Sequence, residues 1–248
     1  MIIGKNIKRL LVFTLLLLIV VFLYKYNPYK LQFIGHYDKI WAHRVNSTEK
    51  LQWALKYFDG VELDLEYHQE TDFLDVNHPP ATSINLSFED YFKTFDEKQP
   101  FIWLDIKKLD NHNSQAIFNK LTIIFEAKNY PIHKVLIETQ HPEVLPKFTD
   151  YGFATSYYLP ANLRLKDSLL LQNEISTIQK VLENQPNIAI STDYKDYEVI
   201  TKYFPNSKKY IWILVSDFNT EFIQISKILN DNTVQAVLIN YKSPKGNR

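Results

Sequence analysis

The stretch that decides the fold is residues 60–67, which read GVELDLEY. Apolar and acidic side chains alternate along it, and this period of two is that of a β-strand. One face carries Val61, Leu63 and Leu65, and the other carries Glu62, Asp64 and Glu66. We therefore predict a strand with one face packed against helices and the other face lined with carboxylates.

Short apolar runs of the same kind recur on both sides of this strand, separated by stretches with helical periodicity. The predicted strands cover residues 40–45, 60–67, 101–107, 134–140, 152–159, 187–194, 210–218 and 234–241. The predicted helices cover residues 48–58, 87–97, 114–128, 163–184 and 220–230, the first capped by Ser47 or Thr48. Alternating strands and helices indicate a parallel sheet, and eight such units predict an α/β fold, the (β/α)8 TIM barrel.

Composition narrows the classes of function. The 248 residues fit one such barrel, and a hydrophobic content of 46% supplies a large core. The 28 basic and 28 acidic residues cancel, so we expect no nucleic-acid partner. Since the chain has no cysteine, disulfides, thiolate metal sites and a cysteine nucleophile are excluded. Carboxylates and imidazoles remain as candidate metal ligands.

The amino terminus predicts a location. Residues 10–24 read LLVFTLLLLIVVFLY without a charge, behind Lys5, Lys8 and Arg9. No small-residue cleavage site follows, so we predict an uncleaved signal anchor in residues 1–29 and a barrel domain in residues 30–248. The basic residues would keep the amino terminus cytoplasmic, which predicts a single-pass membrane protein with an extracytoplasmic barrel. A buried core helix is the alternative.

Carboxylates are predicted to converge inside the barrel. The strand at residues 101–107 reads FIWLDIK, which places Asp105 and Lys107 opposite the apolar set and near the carboxyl end, where barrel enzymes carry their chemistry. Hard cations such as Mg²⁺ or Ca²⁺ take oxygen ligands of this kind. We predict that Glu62, Asp64 and Asp105 bind one divalent cation. For Glu62 and Asp64 alone, the solvated face of an antiparallel hairpin is the alternative.

Two histidines flank these carboxylates. His43 ends the first predicted strand, and His78 lies in the loop after the second. Each alone is more often a surface or hydrogen-bonded residue, but together they can divide the work of acid and base near neutral pH. Arg44 and Lys107 would neutralise phosphate oxygens, or pair with neighbouring carboxylates instead.

These motifs resemble one family. The segments HR at 43–44, ELD at 62–64, His78 and LDIK at 104–107 resemble, in the same order, the glycerophosphodiester phosphodiesterase superfamily, whose barrel is of the PLC-like phosphodiesterase type. Residues 210–213, YIWI, resemble its tryptophan-bearing seventh strand. Within it, WAHRVNS at 41–47 and NHPP at 77–80 are closest to the menorin branch. The resemblance spans most of residues 38–241.

The resemblance implies an activity and a role for each residue. Glu62, Asp64 and Asp105 would bind one Mg²⁺ or Ca²⁺, while His43 and His78 would form the acid and base pair. Arg44 and Lys107 would hold the phosphate. The implied reaction is hydrolysis of glycerophosphodiesters or related lipid-derived phosphodiesters, with one histidine deprotonating an adjacent hydroxyl and the other protonating the leaving alcohol.

The chain also departs from the family pattern. Val45 and Asn46 follow His43 and Arg44 without the usual glycine and glutamate, and Pro79 follows His78 in place of an aspartate. Asp105 replaces a glutamate, and residues 239–241, INY, replace a Thr-Asp pair. These departures keep a second hypothesis open, a catalytically inactive, membrane-tethered binding protein of the menorin type. A metal-binding scaffold for protein partners is a third.

Overall fold

The computed structural model describes residues 4–95, 98–214 and 221–243. Its strands are β1 Ile40–His43, β2 Gly60–His68, β3 Phe73–Asp75, β4 Phe101–Lys107, β5 Val135–Thr139, β6 Ala154–Tyr158, β7 Ala189–Asp193, β8 Lys209–Ile213 and β9 Val234–Asn240. Its helices are α1 Lys5–Tyr26, α2 Thr48–Ala54, α3 Phe88–Lys93, α4 Ser114–Glu126, α5 Pro146–Tyr151, α6 Ser168–Asn184, α7 Tyr197–Tyr203 and α8 Phe222–Asn230.

The sheet closes into a barrel of parallel strands. Its order is β1-β9-β8-β7-β6-β5-β4-β2, and a parallel contact between β1 and β2 joins the two ends. β3 pairs antiparallel with the last three residues of β2, where Glu66 lies opposite Asp75. The predicted (β/α)8 TIM barrel is confirmed, and each predicted strand overlaps one of these parallel strands. In the run predicted at 210–218, residues 215–218 lie outside the described part of the chain.

The alternation along β2 sorts its side chains as predicted. Val61, Leu63 and Leu65 are fully buried in the large cluster that joins the strands to the helices. A second cluster fills the barrel interior around Trp41 and Trp103. Because closed barrels expose no sheet edge, this inner packing fixes the positions of the strand ends.

Gly60 opens β2 where Trp41 crosses the barrel interior. A Cβ at this position would lie 2.2 Å from an indole carbon of Trp41, so only glycine lets the ring pack flat against the strand. The ring in turn stacks on Phe101 at a centroid distance of 5.3 Å.

The predicted helices are observed at their predicted positions, but their lengths differ from the prediction. Ser47 caps α2, as predicted, by accepting a hydrogen bond from the Lys50 N–H at 3.2 Å. The helix predicted at 163–184 begins later, because Asp167 caps α6 and residues 163–165 form a separate 3₁₀ turn. The short helices α5 and α7 are absent from the sequence-based prediction, since six or seven residues give little periodic signal.

The predicted membrane anchor is not confirmed. Residues 5–26 form helix α1, but none of the helices in the described residues has the length and apolar content that a membrane crossing requires. The physical reason lies in the charges: residues 10–24 alone are uncharged, and fifteen residues rise only about 22 Å against a hydrocarbon core of about 30 Å.

Candidate metal and phosphate site

The predicted site residues meet at the carboxyl ends of three neighbouring strands. β1 carries His43 at its end, β2 carries Glu62 and Asp64, and β4 carries Asp105. Asp64 pairs in register with Asp105, so their side chains leave the sheet side by side. The barrel therefore assembles residues that lie far apart in the sequence.

The three carboxylates converge on a single point. One oxygen from each of Glu62, Asp64 and Asp105 lies within 4.8 Å of the other two. Glu62 and Asp64 are 2% and 1% exposed and sit in the parallel part of β2, which excludes the solvated face of a hairpin. Burial raises the pKa of Glu62 well above 4.5, and the charges of Asp64 and Asp105 raise it further. An all-oxygen cluster of this size and charge fits a hard divalent cation.

Lys107 faces the same carboxylates. Its Nζ lies 2.8 Å from Asp64 Oδ1 and also donates a hydrogen bond to Asp105. Burial works to lower the pKa of Lys107, but Asp105 and Asp64 outweigh it and raise the pKa above 10.5. The ammonium group therefore keeps its charge and partly neutralises the carboxylates.

Arg44 and Asn46, in the turn after β1, hold two of these carboxylates in place by hydrogen bonds. Asn46 Nδ2 donates to Asp64 Oδ2 at 2.7 Å, and the Asp64 N–H donates to Asn46 Oδ1 at 3.0 Å. Arg44 has a left-handed backbone, with φ of 52°, which turns its N–H towards Glu62 Oε2 at 2.5 Å. A non-glycine residue in this region costs energy, and such strain clusters at functional sites.

His43 lies beside Glu62 in a nearly dry position. Its Nε2 is 3.8 Å from Glu62 Oε2, and its side chain is 13% exposed. Burial, helped by the charge of Arg44, lowers the pKa of His43 to about 3, against the opposing effects of Asp64 and of a hydrogen bond with Asn240. The imidazole is therefore neutral near pH 7, and its burial opposes protonation.

His78 completes the set from the loop after β3. Its Nε2 lies 3.9 Å from Asp64 Oδ1 and 2.6 Å from Arg44 Nη2. A guanidinium group only donates, so His78 Nε2 accepts this hydrogen bond and carries no proton. Arg44 is itself half-exposed at 49%, with Nε 3.9 Å from Asp64 Oδ2, and so covers the site from the solvent side.

Sequence reasoning missed Lys50, a buried lysine near the start of α2. Its Nζ donates to the carbonyl oxygens of His43 at 3.3 Å and Arg44 at 2.7 Å. Burial lowers the pKa of Lys50 to about 8, although Glu62 opposes this shift. Lys50 therefore holds the turn after β1 in place. No pattern in the sequence predicts that contact.

Glu138 was also missed, although the sequence carried a signal for it. It lies on β5 next to Asp105 and is 3% exposed, and Trp103 Nε1 donates to its Oε2 at 3.0 Å. Burial, together with Asp105, raises the pKa of Glu138 to about 8. The alternation used for β2 places Leu136 and Glu138 on the inner face, so the same rule finds this fourth interior carboxylate.

Solved structures share this architecture. A glycerophosphodiester phosphodiesterase from Thermotoga maritima is 13% identical, with a TM-score of 0.56, over 83% of this chain and 95% of its own. A phosphodiesterase from Oleispira antarctica, solved with the product sn-glycerol-3-phosphate, is 11% identical, with a TM-score of 0.55, over 82% of this chain and 93% of its own. The fold is that of the glycerophosphodiester phosphodiesterases.

This likeness confirms the predicted resemblance at the level of the barrel. At such low identities a shared fold does not by itself assign an activity. No protein-family model matches the chain, and no curated protein matches it in sequence. The placement within the menorin branch therefore stays a prediction, and an assignment of function must rest on the site.

Proposed function

We propose that this chain is a metal-dependent phosphodiester hydrolase that acts on glycerophosphodiesters or related lipid-derived phosphodiesters. The observation that carries the proposal is the convergence of Glu62, Asp64 and Asp105 within 4.8 Å of one another, with imidazoles and cations on the same barrel mouth. The shared fold with glycerophosphodiester phosphodiesterases supports the choice of substrate class.

In this proposal Glu62, Asp64 and Asp105 hold one Mg²⁺ or Ca²⁺, which would polarise a phosphoryl oxygen and offset its charge when bound. Asn46 positions Asp64 through two hydrogen bonds. Lys107, already beside two of the carboxylates, supplies a fixed positive charge for a phosphate oxygen.

His43 is the proposed general base. Its pKa of about 3 leaves it neutral, with a ring nitrogen free to accept a hydrogen bond from a substrate hydroxyl next to the phosphate. Burial also makes it a weak base, so it takes that proton only once the charge of the bound phosphodiester raises its pKa. That oxygen attacks phosphorus, and the bond to the leaving alcohol breaks. Glu62, 3.8 Å from His43 Nε2, then faces the imidazolium that has formed.

His78 is the proposed general acid. It gives a proton to the departing alcohol, so that a cyclic phosphate remains, which water then opens with the two histidines in reversed roles. Before this step His78 Nε2 must part from Arg44 Nη2, now 2.6 Å away, and bind a proton. The released guanidinium is then free to bind the phosphate.

The test is a phosphodiesterase assay of the purified chain. Glycerophosphodiesters, which carry the hydroxyl next to the phosphate that the mechanism requires, are offered with Mg²⁺, Ca²⁺ or Mn²⁺, and then with a chelator. We expect cation-dependent turnover that falls at least 100-fold in His43→Ala and in Glu62→Gln. Glu143→Gln, at a half-exposed glutamate that pairs with His141, is the matched control and keeps its activity.

Two outcomes would decide against the proposal. Turnover that survives both His43→Ala and Glu62→Gln would remove the assignment of these residues. Cation and phosphate binding without turnover on any diester would favour the second hypothesis, an inactive binding protein of the menorin type.

The extracytoplasmic location rests on the sequence alone and is likewise a proposal. It depends on the basic residues ahead of the uncharged run at 10–24, a pattern typical of an export signal. Protease treatment of intact cells and of lysed cells would test it, because only an extracytoplasmic barrel is cleaved before lysis.

A further inference from the structure

A second group of potential metal ligands lies where β2 meets β3. Glu66 and Asp75 are paired in register on these two strands, so their side chains leave the sheet on the same face. His68 lies two residues beyond Glu66 on that face. His68 Nε2 is 3.6 Å from Asp75 Oδ2 and 4.0 Å from Glu66 Oε2.

Asp75 is the residue that calls for an explanation. It is 1% exposed, and neither of its carboxylate oxygens has a hydrogen-bond partner among the described residues. Buried carboxylates are otherwise hydrogen-bonded, paired or bound to a cation, because leaving water is costly for a charge. The contact with His68 at 3.6 Å is too long for a hydrogen bond and leaves both oxygens unsatisfied.

We propose that His68, Asp75 and Glu66 form a second divalent-cation site, distinct from the carboxylate triad. An imidazole nitrogen with two carboxylates suits Zn²⁺ or Mn²⁺ better than Mg²⁺ or Ca²⁺. Ligand atoms about 2.0 to 2.2 Å from a tetrahedral Zn²⁺ lie about 3.4 Å apart, close to the separation of His68 and Asp75. Glu66 Oε2, 4.0 Å from His68 Nε2, must move inwards to complete the site, since in the described residues only the triad brings three ligand atoms within 4.8 Å of one another.

Asn77 supports this arrangement from the loop after β3. Its Nδ2 donates to Glu66 Oε2 at 3.3 Å and to the carbonyl oxygen of Ala81 at 3.2 Å. A hydrogen bond of this kind orients a metal-binding carboxylate and typically changes metal affinity 10- to 100-fold when it is lost.

The position of this site gives it a use. Glu66 pairs in register with Lys107 of β4, and both residues line a cavity of about 450 Å³ together with His68 and Lys108. A cation held there adds positive charge on the side of the barrel mouth from which Lys107 reaches Asp64. The site would therefore attract an anionic group into this cavity, whatever reaction the triad performs.

The experiment counts bound Zn²⁺ in the full-length chain. Protein stripped with a chelator is titrated with Zn²⁺ by calorimetry, and the metal retained after dialysis is measured. We expect one equivalent to be lost in His68→Ala and in Asp75→Asn but kept in Glu62→Gln, which alters only the triad. His141→Ala is the matched control, because His141 also lies beside a carboxylate, Nδ1 3.3 Å from Glu143 Oε1, but is exposed.

His68 is 45% exposed, so His68→Ala is expected to fold, and circular dichroism would confirm this for each variant. The inference is overturned if His68→Ala binds as much Zn²⁺ as the unmodified chain, with an affinity within threefold. It is also overturned if His141→Ala loses the same equivalent, since the binding would then belong to exposed histidines in general. Because the readout is bound metal, a negative result in the phosphodiesterase assay leaves it standing.

Discussion

Replacing Glu138 by glutamine should change how the stability of the barrel depends on pH. Glu138 is 3% exposed in the barrel interior, where burial and the neighbouring Asp105 raise its pKa to about 8 from an ordinary value of 4.5. The folded chain therefore holds a proton at Glu138 through the range in which the unfolded chain has released it. Glutamine keeps the shape of the protonated side chain and does not titrate.

The magnitude follows from linkage between proton binding and folding. Between pH 4.5 and 8 the folded state binds more protons than the unfolded state, so the free energy of unfolding falls as the pH rises. The contribution of Glu138 is fully present below pH 4.5 and is lost as the pH passes 8. A shift of this size corresponds to at most about 5 kcal/mol at about 1.4 kcal/mol per pKa unit.

Urea unfolding followed by circular dichroism from pH 5 to pH 8.5, with a chelator present, would measure this effect. We expect the free energy of unfolding of the unmodified chain to fall by several kcal/mol more than that of Glu138→Gln over this range. Glu143→Gln is the control, because a half-exposed glutamate should leave the pH dependence unchanged. If the curves of the unmodified chain and Glu138→Gln run parallel, Glu138 is not held protonated by the fold.

Three further predictions concern the strands that carry the site. Gly60→Ala should lower the free energy of unfolding by roughly 1 to 3 kcal/mol in urea, because the new Cβ would lie 2.2 Å from the rigid indole of Trp41. Asn46→Ala should weaken divalent-cation binding, measured by calorimetry, by about 10- to 100-fold, since Asp64 would lose its two hydrogen bonds with Asn46. The imidazole proton resonances of His43 should keep their neutral positions from pH 8 to pH 5, because burial lowers its pKa to about 3.

A control or a contradicting result can be stated for each of these three predictions. Gly4→Ala, where no atom lies within 4 Å of the new Cβ, should leave the free energy of unfolding unchanged. If Gly60→Ala also left it unchanged, the steric argument would be refuted. An Asn46→Ala variant with unchanged cation affinity would show that Asp64 is oriented by other contacts. A His43 titration midpoint near 6.5 would mean that the imidazole is hydrated in solution.

Strand periodicity predicted the barrel and the convergence of three carboxylates inside it. The alternation at residues 60–67 placed Glu62 and Asp64 on the inner face, and the same phase at 101–107 placed Asp105 and Lys107 there. These predictions held because a closed barrel leaves each strand only one inner face. Glu138 obeys the same rule on β5 and was overlooked because it is the one charged residue of that strand.

Contacts that depend on the conformation of a turn could not be predicted from the sequence. The Arg44 N–H reaches Glu62 only because φ of Arg44 is 52°, and Lys50 reaches two carbonyl oxygens only across that same turn. Such geometry arises from the meeting of β1, α2 and β2, which no local propensity encodes. Strand β3 was missed for another reason, since three residues carry too little alternation to be recognised.

Lys107 and the proposed metal ion share two carboxylates, Asp64 and Asp105. Lys107 occupies the space between Asp64 and Asp105, both of which the proposed divalent cation needs as ligands. The ammonium group and the metal ion therefore compete for the same oxygens, and binding of the ion weakens the hold of the carboxylates on Lys107. Because Lys107 keeps its proton, it remains a cation after it is displaced and needs a new anionic partner. In the proposed reaction a substrate phosphate at the barrel mouth would be such a partner, so that metal binding would prepare the phosphate site.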